Sequence, residues 1–151
     1  MSHSRNQQRR RHPSSSHEPR PNPSFSELGE NMYKKYFKDR NVSILEYQGG
    51  DNMDDFIQQV EKFVVEKGTQ LSKTQLRNIY DKILNADDLI SLKMIRPQLA
   101  YLAGRENNQD SKELLSFINI LIKETSENSI ENFKQFMQMV VAYHKFHGKK
   151  Q

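Results

Sequence analysis

The sequence predicts an all-α protein, a compact bundle of about five helices behind a disordered basic N-terminal tail. Three observations lead there. From Asp51 onward apolar residues recur at helical spacing, and no stretch alternates as a half-buried strand would. Capping residues and glycines fall between the apolar runs. The apolar content is also unevenly divided. The 151-residue chain is 34% hydrophobic, yet residues 1–24 hold a single hydrophobic residue, Met1. The predicted organisation is a tail over 1–24, a variable segment with one short helix over 25–50, and a bundle domain over 51–148.

Residues 1–24 are rich in Ser, Pro, Arg and His and carry four of the five prolines. Such a stretch cannot bury enough apolar surface to offset its chain entropy, so disorder is expected. Arg5, Arg9, Arg10, Arg11 and Arg20 against Glu18 account for the whole net charge of +4. The tail is either a basic arm that touches nucleic-acid phosphates or a solubilising extension. The folded part is balanced in charge, so any nucleic-acid argument for it rests on local patches.

Phe25, Leu28, Met32, Tyr33, Tyr36 and Phe37 recur at helical spacing and predict a short amphipathic helix, loosely attached to the rest. Val42 to Tyr47 reads as an extended piece stopped by Gly49 and Gly50. Met53, Phe56, Ile57, Val60, Phe63 and Val64 form the stripe of the next helix, with Asp51 as its cap and Gly68 as its stop. Ser72 and Gln75 have capping-box spacing, with Leu71 and Leu76 placed as a hydrophobic staple. Leu76, Ile79, Tyr80, Ile83 and Leu84 should face inward from that helix.

A third bundle helix should start at Asp87 or Asp88 and run to Ala103, with Gly104 as its stop. It is apolar nearly all round, which predicts a central position, and Pro97 should kink or split it. A fourth should open at Asp110 with Glu113 as capping partner. The last should open at Asn128 or Ser129 and end at Gly148. Gly68, Gly104 and Gly148 each follow a helical run, where a left-handed stop residue is expected.

The chain lacks cysteine, which excludes disulfides, Cys-ligated metals and a thiol nucleophile. No apolar run approaches the ~18 residues of a membrane span. No signal peptide is read, and a cytoplasmic protein is expected. No phosphate-binding glycine loop, GxSxG or HExxH motif occurs, so neither an enzyme activity nor a cofactor is expected. The pairs Asp54–Asp55 and Asp87–Asp88 fall in helix first turns, where the helix dipole suffices to explain them. His144 lies within the apolar arc of the last helix, the setting of a satisfied core or interface histidine.

Candidate binding residues are basic. Lys73 and Arg77 are four apart, so they share a helix face. Lys134 and Lys145 share a flank of the last helix, extended by Lys149 and Lys150. Arg105 follows Gly104, and Arg96 precedes Pro97. Long basic side chains at the borders of apolar faces either contact a phosphate backbone or are solvated flanks with packed stems. Arg96 falls among Leu89, Leu92, Leu99 and Ala103. It is therefore either a buried ion pair, with Asp81 or Asp88, or a protrusion at the kink.

Three strings carry a resemblance. Gln75-Leu76-Arg77-Asn78-Ile79-Tyr80 is similar to the opening motif of the small subunit of type III-A CRISPR effector complexes, the Csm complex. The run from Leu92 to Arg105, with Met94-Ile95-Arg96-Pro97 at its centre, resembles the same family. Val140 to Gly148 resembles the family's ending. The strings occur in family order and span about half the chain. The resemblance implies an all-helical, non-catalytic subunit of a guide-RNA complex, stacked in several copies beside the subunits that hold the guide.

It implies as partners CRISPR RNA, target RNA, the backbone and large subunits and other copies of itself, with no membrane. Target cleavage would belong to the neighbouring backbone subunit. Arg77, Arg96, Arg105 and Lys145 stand at matched basic positions, to which the flank reading adds Lys73 and Lys134. Gln98 stands where the family commonly has a lysine, and residues 1–50 lie outside the resemblance. Such a subunit needs phosphate contacts but no base-specific readout, because base pairing supplies specificity.

Overall fold

The computed structural model of the protein describes residues 22–37, 43–47, 49–50 and 52–148. Among these there are seven α-helices and no strand. They are α1 (Phe25–Tyr36), α2 (Met53–Lys67), α3 (Lys73–Asn85), α4 (Leu89–Lys93), α5 (Arg96–Arg105), α6 (Gln109–Glu124) and α7 (Ile130–His147). Short 3-10 turns occupy Ile44–Glu46 and Glu127–Ser129. Residues 1–21 of the tail predicted over 1–24, the Asp51 cap and Lys149–Lys150 lie outside the described residues.

The centre of the fold is α6. Every residue from Leu114 to Ile122 is buried, including Ser116 and Asn119. This corrects the central place expected for the Asp88–Ala103 run. That run breaks at Met94–Ile95 into α4 and α5, so its all-round apolar pattern is shared between two short helices. Pro97 sits in the first turn of α5, where its missing N–H costs no intrahelical bond. Ile90, Met94 and Tyr101 consequently face solvent.

The N-terminal helix is firmly seated, not loosely attached. It lies on α6 so closely that Gly29 has no room for a side chain: a Cβ there would overlap the Ser116 peptide, 2.6 Å from its carbonyl carbon. The Ser116 hydroxyl donates to the Phe25 carbonyl. Met32, Tyr36 and Phe37 enter the core. Phe37 and Phe63 flank Phe117, with ring centroids 5.6 and 4.5 Å away, and Phe136 closes the aromatic cluster. Gln59 of α2 donates through Nε2 to the Tyr36 carbonyl at 2.7 Å and so satisfies the end of α1.

The caps follow local chemistry with some changes. Ser24, assigned by sequence to the tail, caps α1 in a reciprocal box with Glu27. Ser72 accepts from the Gln75 amide, as predicted, whereas Asp87 and Asp88, expected in a first turn, precede α4, with Asp88 as its N-cap accepting from the Ser91 amide. Asn108, not Asp110, caps α6 by accepting from the Ser111 amide. Asn52 is the N-cap residue of α2, without a side-chain bond. The expected left-handed stops are absent from Gly68, which is α-helical at φ −102°, and from Gly148, which is extended at φ −73° and ψ 168°. Gly104 lies inside α5. The positive φ angles belong to Gly49 and Gly50 instead. The piece read as extended contains the 3-10 turn at Ile44–Glu46, with Ile44 and Leu45 buried.

Candidate functional site

Two contacts fix which helix termini share an end of the bundle. Lys67, at the close of α2, pairs with Asp110 at 3.2 Å and Glu113 at 2.8 Å in the first turns of α6. His144, near the close of α7, donates from Nε2 to the Leu71 carbonyl at 2.7 Å, just before α3 opens. The three-residue connection from α5 to α6 brings Arg105 to the same end. Lys73, Arg105 and Lys145 therefore share this end, with Arg77 one turn farther along α3. Arg77, Arg105 and Lys145 are exposed and Lys73 is half-buried. Arg77 makes an exposed pair with Asp81 at 3.5 Å, the kind of contact that contributes little. Burial holds the His144 imidazole below its ordinary pKa, opposed by the Leu71 carbonyl and reinforced by the charge of Lys73.

Arg96 and Lys134 belong to the opposite end and are bonded internally. Arg96 Nε donates to Asn119 Oδ1 at 2.9 Å. It thus satisfies a buried amide of α6 and forms neither of the two ion pairs considered, since Asp81 faces Arg77 and Asp88 caps its own helix. Lys134 Nζ donates to the Leu84 and Ala86 carbonyls, at 3.2 and 2.9 Å, closing the C-terminus of α3. Sequence reasoning missed Lys93, which does the same for α6 through the Ile122 and Lys123 carbonyls at 3.0 and 2.7 Å. It missed Lys67 as well. Their partners lie 29 to 46 residues away, so no local signal marks them.

Two of the quoted strings converge in space. Gln75, Asn78, Ile79 and Lys82 of α3 face Ile95, Pro97, Gln98, Leu99, Tyr101 and Leu102 across an open groove of about 430 Å³. Its surface is mostly apolar. Lys82 Nζ donates to Gln98 Oε1 at 2.7 Å across it, so a cation stands beside Gln98. Tyr101 is 66% exposed, and the Arg105 guanidinium lies over its ring, 5.7 Å from the centroid. A second apolar surface runs between α2 and α7, where Phe146 is 82% exposed beside Met139 and Tyr143.

Among the described residues no group of three or more His, Asp or Glu side chains could hold a metal ion, and no helix is long and apolar enough to cross a membrane. Asp54 and Asp55 occupy the first turn of α2. Among the described residues the surface offers exposed cations and apolar grooves. The class these features define is a small all-helical protein.

The family described as Csm2 Type III-A matches residues 50–150. The chain belongs to that family, a family of structural small subunits of the type III-A CRISPR Csm complex. No curated protein and no solved structure matches the chain.

Proposed function

We propose that the protein is the non-catalytic small subunit of an RNA-guided antiviral complex, present in several copies in the cytoplasm. It packs against the backbone and large subunits and holds the guide–target RNA duplex through phosphate contacts from Lys73, Arg77, Arg105 and Lys145. The family match over 50–150 carries this reading. The exposure of Arg77, Arg105 and Lys145, and the placement of all four toward one end of the bundle, support the choice of residues. Arg96 and Lys134, predicted alongside them, are assigned to structural work by their internal bonds.

The test is the triple variant Arg77→Gln, Arg105→Gln, Lys145→Gln in the reconstituted complex. Phosphate contacts carry no sequence information, so binding of every target should weaken alike. Each lost contact should flatten the plot of log affinity against log salt by up to about one unit, through reduced counterion release. Assembly should survive, because surface changes usually stay within about 0.5 kcal/mol. If the variant assembles with unchanged target affinity and an unchanged salt slope, the subunit acts as an adaptor through its apolar faces.

A further inference from the structure

We propose that the groove between α3 and α5 is a binding site for an unstacked nucleobase, with Tyr101 as its stacking surface and Arg105 holding the adjoining phosphate. This deepens the proposed RNA contact and rests on it. The groove combines what a base requires and what a bare phosphate strip would lack. Its floor is apolar, built by Ile79, Ile95, Leu99 and Leu102. Its walls carry the side-chain amides of Gln75 and Asn78, groups that both donate and accept and so suit the edges of a base, beside Gln98, whose Oε1 already accepts from Lys82.

Tyr101 lies at the groove with most of its ring in solvent. An aromatic ring this exposed, with no burial to explain it, gains most from a flat partner. Aromatic side chains and guanidinium planes are the surfaces on which proteins stack splayed-out bases. Here the two sit together, with Arg105 over the Tyr101 ring. The guanidinium can face a phosphate while the ring meets the base attached to it.

Charge complementarity favours this occupant over a protein segment. Lys82 and Arg105 border the groove, and no carboxylate lines it. Its open volume of about 430 Å³ is enough for a base with its ribose. The amides would tolerate more than one base, so the site adds affinity for unpaired nucleotides without strict sequence choice.

The experiment titrates the full-length chain with a short oligouridylate and with an abasic strand of the same length, following the Tyr101 ring resonances by NMR. The oligouridylate should bind more tightly and shift those resonances upfield through ring stacking. Tyr101→Ala should weaken the oligouridylate by between about fivefold and about 150-fold, the range found for loss of one base–aromatic stack. It should leave the abasic strand and the salt slope unchanged. Tyr101→Trp should restore binding, and the exposure of the ring makes both variants neutral for folding.

Equal affinity for both strands, or an equal loss on both with Tyr101→Ala, overturns the base site while leaving the phosphate reading intact. If neither strand binds, the base site is overturned as well. The phosphate reading then stands or falls separately on the salt slope of the assembled complex. Loss of subunit assembly in Tyr101→Ala with RNA binding preserved would make the groove a protein interface, and also overturns the proposal.

Discussion

Gly29 and Gly104 are both helical glycines, and replacing each with alanine should have opposite effects on stability. In a helix interior alanine is favoured over glycine by about 1 kcal/mol, because glycine loses more backbone freedom on folding. At Gly104 an added Cβ meets nothing within 4 Å, so Gly104→Ala should stabilise the protein by about 0.5–1 kcal/mol. At Gly29 the same methyl group would overlap the Ser116 peptide of α6, backbone that cannot rotate away. Helix α1 would have to lift from α6, loosening Tyr33 and Phe37 from Phe117 and straining the Ser116 bond to Phe25.

Overpacking of this kind costs about 1–3 kcal/mol. After the propensity gain, Gly29→Ala should destabilise by up to about 2 kcal/mol. Urea unfolding of the two variants should therefore separate their midpoints by roughly 1 M, given a slope near 2 kcal/mol per M for a domain this size. The slopes themselves should agree. If Gly104→Ala stabilises as expected while Gly29→Ala matches or exceeds the wild type, α1 does not lie against α6 at this distance. The reasoning that seats the N-terminal helix on the core would then be refuted.

Other outcomes follow from the caps and the buried imidazole. Ser24→Ala removes the hydroxyl that accepts from the Glu27 amide, while the Ser24 N–H keeps its bond to the Glu27 carboxylate, and should cost about 1 kcal/mol in thermal or urea unfolding. Lys134→Met removes the donor to the Leu84 and Ala86 carbonyls. It should lower stability by about 1 kcal/mol and leave target RNA affinity unchanged, the reverse of the Arg77, Arg105 and Lys145 variant. His144 is held below its ordinary pKa of 6.5 in the folded chain. The unfolded chain therefore takes up a proton first as pH falls, and stability should decline below about pH 6.5, before the carboxylates titrate. Above that pH both states carry a neutral ring and no such slope is expected. His144→Gln should flatten the decline between about pH 6.5 and pH 5; an unchanged profile would mean that another group carries it.

The all-α class was legible because helical periodicity is a local property, and α2, α3, α6 and α7 arose where their apolar stripes predicted. The Ser72 cap was legible for the same reason, since a side chain bonding an amide three residues away needs no partner from elsewhere. The family strings also pointed to Arg77, Arg105 and Lys145 without reference to any contact. Tertiary structure alone decided which helix is central. The Leu114–Ile122 run and the Asp88–Ala103 run are both apolar on most sides, and only packing shows that the first is enclosed while the second breaks and turns Tyr101 outward.

It also divided the cations. Lys93, Arg96 and Lys134 look like surface residues in a linear reading, yet each bonds a carbonyl or amide brought near by the chain's return from 23 to 50 residues away. Gly68 and Gly148 do stand at the ends of α2 and α7, but without left-handed backbone, and Gly104 lies inside α5. Hydrophobic spacing fixes what each segment becomes. Burial and hydrogen-bond satisfaction depend on distant partners, and those determine which charged side chains are left to face another molecule.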